Sequence, residues 1–131
     1  MVGMDAFFTR DKANEGIKVP LRTPEGEKTE HYLVIRSQWS DSFQKAKAEA
    51  YRADLAAIAG QGEVKAEDRT VILTAALVGD WSFEEECTPE NVQKLLREAP
   101  QLRDMIDRYA SNDARFFTKP SSDSTTGRKG K

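Results

Sequence analysis

Few residues in this chain have side chains able to do chemistry. His31 is the only histidine and Cys87 the only cysteine. A metal centre or a histidine-based acid–base pair needs further ligands or partners at defined spacing, and none stands near His31. It reads as a structural or solvent-facing strand residue. Cys87 precedes Thr88, which opens a helix, and a helix N-terminus can lower a thiol pKa. The preceding Glu84, Glu85 and Glu86 act in the opposite sense. Cys87 therefore reads as a small residue at a cap. The glutamate run lacks the spaced oxygen ligands and turn glycine of a calcium loop. It suits a solvated stretch that favours the following helix dipole. Gly60-Gln61-Gly62 is followed by Glu63-Val64-Lys65 and not by the Gly-Lys-Ser/Thr of a phosphate loop. It reads as an inter-helix turn. No catalytic residue, cofactor site or metal site emerges, and the chain is not expected to be an enzyme.

The elements that carry these residues are more legible. TPENVQKLLREAPQL, residues 88–102, has a capping Thr88, a first-turn Pro89 and an apolar stripe of Val92, Leu95, Leu96 and Ala99. Pro100 stops that helix, and a second stripe follows at Leu102, Met105, Ile106 and Tyr109. IKVPLR at 17–22 alternates like a strand, and Pro20 marks it as an edge. TPEGE at 23–27 is a turn, and HYLVIRS at 31–37 is a second strand. Ser40 caps a helix that ends at Gly60. Its inner face is Phe43, Ala46, Ala50 and Ala57, with Tyr51, Leu55 and Ile58 alongside. Residues 71–78 are apolar nearly all round, which predicts a central core helix followed by a Gly79-Asp80 turn.

The expected fold is α+β and mainly α: a β-hairpin at about 15–37 packed on a bundle of about four helices. The helices are expected at 41–59, 66–78, 89–99 and 101–115 within one domain spanning 1–117. Residues 118–131 form a basic tail or linker without apolar residues to bury, expected to be disordered. That tail carries Lys119, Arg128, Lys129 and Lys131 against Asp123, net +3, which leaves −5 for the body of a chain whose total is −2. An acidic body argues against a nucleic-acid groove, which needs clustered cations. The longest apolar run is far short of the ~20 residues of a membrane span. The opening residues lack the charged and apolar regions of a secretory signal, so none is expected.

Trp39, Trp81, Phe83, Phe116 and Phe117 fall at element ends. They either close the core or form an exposed apolar patch of the kind that binds proteins. The elbow at Pro100 is expected to pack Val92, Leu95, Leu96, Leu102 and Ile106 on the 71–78 helix. Its far end, Met105, Tyr109, Phe116 and Phe117, would then join Trp81 and Phe83 in a protein-binding surface.

RSQWSDSF, ILTAALVGDWSF and CTPENVQKLLREAPQLRDMIDRYASNDARFF together resemble the tail assembly chaperones of long-tailed bacteriophages. The resemblance covers about residues 30–117. Its positions are Trp81, Pro100, Leu102, Ile106, Asn112, Phe116 and Phe117. It implies a non-enzymatic protein that binds the tape measure protein in the host cytoplasm and leaves before the virion matures. It also implies self-association. A frameshifted longer form that recruits tail tube subunits is a further implication, and the basic tail would suit the linker. Alternatives are another phage morphogenesis protein of the head–tail connector type, or a small helical nucleic-acid-binding regulator built on the 90–115 helix pair. Asp104, Asp107 and Asp113 beside Arg103, Arg108 and Arg115 count against the regulator.

Overall fold

The computed structural model describes residues 3–60 and 65–118. A 3-10 turn at Met4–Phe7 leads into a short helix α1 (Arg10–Glu15). Strands β1 (Ile17–Arg22) and β2 (Lys28–Ile35) form the hairpin, and α2 (Asp41–Ile58) follows. Then come α3 (Ala66–Ala75), β3 (Val78–Trp81), α4 (Pro89–Glu98), α5 (Pro100–Ala110) and α6 (Asp113–Phe117). The fold is α+β and mainly helical, with a three-stranded antiparallel sheet in the order β1-β2-β3.

The alternation of β1 and β2 does what the pattern demands: Val19, Leu21, Leu33 and Ile35 are all buried on one face. The ladder pairs Ile17 with Ile35 and Val19 with Leu33, and shifts register between Pro20 and Arg22. Pro20 lies on the edge strand, where a missing N–H costs no ladder bond. Gly16 enters β1 at φ 81°, and a Cβ there would stand 2.7 Å from the Ile35 carbonyl oxygen. No other residue fits so close an approach.

The core helix expected at 66–78 is shorter. α3 ends at Ala75, and Val78–Trp81 joins the sheet as β3 beside β2. The expected Gly79-Asp80 turn is thus part of a strand. Val34 pairs with Asp80 and Ile35 with Val78, with an irregularity between them that accommodates Gly79. The backbone N–H of Arg36 donates to the Leu77 carbonyl at 2.6 Å. The physical reason lies in the burial. Val71 and Thr74 face the core from the helix, and Leu77, Val78 and Trp81 face it from the turn and the strand. The run is apolar throughout because it serves two elements with different periods, not one central helix.

α4 and α5 form the expected elbow. Thr88 Oγ1 accepts the Asn91 N–H at 3.2 Å, and both helices begin at a proline. Val92, Leu96 and Ile106 are buried, with Leu95 and Leu102 packed against the same core. Arg97 reaches Asp68 at 2.8 Å and Arg103 reaches Glu67 at 3.8 Å, which ties the elbow to α3. The last expected helix, 101–115, is broken at Ser111-Asn112 into α5 and α6. The segment between β2 and α2 acts as a junction. Ser37 and Ser40 are wholly buried; Ser37 N–H donates to the Ala13 carbonyl and Gln38 N–H to the Ala110 carbonyl. The expectation of a disordered tail concerns residues that, beyond Thr118, lie outside the described ones.

Candidate protein-binding surface

β3 and the chain after it carry the aromatic site residues. Trp81 closes the strand with its ring in the core, only 8% exposed. Its indole Nε1 donates to the Glu85 carbonyl at 2.7 Å, which folds the glutamate stretch back over the ring. Asn91 Nδ2 donates to the Glu86 carbonyl at 2.8 Å and anchors the far end of that stretch to α4. The sequence reading attended to the glutamate side chains, but the fold uses their backbone carbonyls.

Phe83 meets Trp81 edge-on at 5.2 Å between centroids and also covers the His31 ring at 4.7 Å. His31 is half-buried, with Nδ1 3.1 Å from Ser82 Oγ, and the same hydroxyl accepts the Tyr32 N–H at 2.8 Å. These bonds extend the β2–β3 ladder beyond Trp81, so His31 has a structural place. Cys87 packs partly against the core, and its thiol pKa is raised, first by burial and then by the charge of Asp80, with Arg36 opposing. The cause differs from the neighbouring glutamates invoked from sequence. A thiol held protonated is a poor nucleophile. Among the described residues no group of three His, Cys, Asp or Glu side chains could hold a metal ion.

Trp81, Phe83 and Leu95 line a hollow of about 300 Å³ between the post-β3 segment and α4. Glu85, Asn91, Lys94 and Glu98 form its polar rim. An apolar floor on fixed elements with a charged rim is the shape that takes one large apolar side chain of a partner.

The other expected site residues do not join this hollow. Met105 and Tyr109 lean on the core from α5, and Tyr109 lines a separate cleft with Arg108, Asn112 and Arg115. The Arg115 guanidinium lies over the Tyr109 ring at 4.5 Å. Phe116 is only 6% exposed, while its neighbour Phe117 is half-buried at 6.0 Å between ring centroids. Among the described residues no aromatic contact joins Trp81 and Phe83 to Phe116 and Phe117. The six residues do not meet at one place: Trp81 and Phe83 line the hollow, Tyr109 lines the separate cleft, and Phe116 is buried.

Other apolar side chains are exposed elsewhere: Met4, Phe7 and Phe8 near the start of the chain, and Trp39 just before α2. Tyr51, Leu55 and Ile58 of α2, expected beside that helix's inner face, are exposed, as is Ile72 of α3. α2 carries two apolar rows, and one straight helix resting on one body turns only one of them inward. That conflict was the available sequence signal.

No family model, curated protein or solved structure matches this chain.

Proposed function

We propose that this protein is a tail assembly chaperone that binds the tape measure protein while a phage tail is built. The reading rests on the resemblance of residues 30–117 and on one observation, the preformed hollow of Trp81, Phe83 and Leu95. A long helical client exposes apolar stripes before assembly, and a chaperone must mask them with preordered surface and release them later. A rigid hollow that takes one side chain at a time supplies moderate affinity at low ordering cost. The same reading places the protein in the host cytoplasm and outside the finished virion. It also includes self-association and a longer, frameshifted form that would recruit tail tube subunits.

The test is co-expression with the tape measure protein encoded by the same phage. The client is expected to stay soluble and to co-purify with the wild-type chain. Phe83→Ala, in the apolar floor of the hollow, should weaken co-purification in a chain whose circular dichroism spectrum shows that it still folds. A client whose solubility is the same with and without this protein would end the proposal.

A further inference from the structure

α2 is 18 residues long, and Ala46 is its only fully buried residue. Tyr51, Leu55 and Ile58 recur at spacings of four and three, so they form one stripe along two turns. They are 63%, 48% and 82% exposed. Arg69 of α3 holds Asp54 of α2 at 3.0 Å. Ile72 follows Arg69 by three residues and so lies on the side of α3 turned towards α2, also exposed. Single exposed apolar residues are ordinary, but a stripe of three on one helix with a fourth on the helix packed beside it is not.

The unpaired charge around this row is basic. Lys47 lies one turn before Tyr51, and Arg52 lies on the opposite flank. Lys65 stands at the start of α3. Among the described residues none of these three cations is held in an ion pair. The acids at this face are engaged: Asp54 by Arg69, Glu67 by Arg97 and Arg103, and Asp68 by Arg97. Glu49 points to the other side of the helix, where Lys45 lies one turn before it. An acidic body thus carries one apolar row with unpaired cations at its margin.

We propose that the α2–α3 face binds an amphipathic helix whose apolar stripe is flanked by aspartate and glutamate. Such a helix sets its Leu or Ile residues against Tyr51, Leu55, Ile58 and Ile72 and its acids against Lys47, Arg52 and Lys65. Packing a second copy α2 to α2 would bring like cations together, which the complementarity rule disfavours. The inference stands on the α2–α3 face alone and does not depend on the Trp81 hollow or on the identity of its client.

The test uses two synthetic 20-residue helical peptides with the same leucine stripe, one flanked by glutamate and one by lysine. Binding to the full chain is read by fluorescence anisotropy at low and high salt. The glutamate-flanked peptide is expected to bind roughly tenfold or more tightly at low salt, with the advantage shrinking as salt rises. Tyr51→Ser with Ile58→Ser should abolish binding while the circular dichroism spectrum is retained. Lys47→Glu with Arg52→Glu should reverse the preference, which keeps the test valid if the serine variant folds poorly. Equal affinity for both peptides, no binding of either, or binding untouched by the serine pair would each overturn the proposal. So would a wild-type dimer in sedimentation that the serine pair converts to monomer, because the row would then belong to a second copy.

Discussion

The indole of Trp81 and the backbone carbonyl of Glu85 are joined by a 2.7 Å hydrogen bond that closes the loop between β3 and α4. One ring thereby does two jobs: its body fills the core, and its N–H fixes the segment that walls the candidate hollow. The two jobs separate by mutation. Trp81→Phe should keep most of the packing, lose the hydrogen bond and cost about 1–2 kcal/mol. Trp81→Ala should cost ~3–5 kcal/mol. Urea unfolding followed by circular dichroism measures both, and equal losses would show that the hydrogen bond is the only contribution that matters.

Leu77 and Leu73 sit four residues apart in one apolar run, yet Leu77 is fully buried and Leu73 half-buried. Leu77→Ala should cost ~2–5 kcal/mol, the range for a buried leucine that leaves a cavity. Leu73→Ala should cost clearly less, because part of its surface already meets water. The ordering of the two unfolding midpoints decides it. A continuous core helix over 66–78 would not set them apart in this way.

Phe116 and Phe117 are adjacent in sequence but unequal in burial. Phe116→Ser should lower stability by ~3 kcal/mol, since it removes a buried ring and leaves a hydroxyl in its place. Phe117→Ser should cost less than ~1 kcal/mol. Separate thermal melts of the two single variants are the measurement. A double variant would confuse lost folding with lost binding, so it cannot serve as a probe of a docking surface.

Asp41 joins α1 to α2. Its carboxylate accepts hydrogen bonds from Asn14 Nδ2 at 3.0 Å and Arg10 Nε at 2.9 Å. Its pKa is lowered from the usual 3.8, chiefly by the Asn14 hydrogen bond and then by Arg10. A depressed carboxylate pKa stabilises the fold above the unfolded value, near 3.8, and the contribution fades as pH falls through the lower folded value. Asp41→Asn should therefore flatten the loss of thermal stability below that pH relative to wild type, with little change in slope near neutrality. A carboxyl carbon shift titrating at or above 3.8 in the folded protein would contradict this.

Local rules written in single residues were legible from the chain alone. Thr88, Ser40, Pro89 and Pro100 set helix starts, because caps and prolines act on their own backbone neighbours. Alternation in 17–22 and 31–37 set the hairpin and its buried face, because a strand's side chains change sides at every residue. Tertiary structure decided what such rules leave open. The run 71–78 suits a helix and a strand equally well, and the vacant edge of β2 drew Val78–Trp81 into the sheet. α2 offers two apolar rows, and only contact with α1 and α3 chose the one that faces inward. That choice buried Ala46 and left Tyr51, Leu55 and Ile58 in water. Which side chains are exposed enough to bind a partner is a property of packing between elements, and periodicity along one element does not contain it.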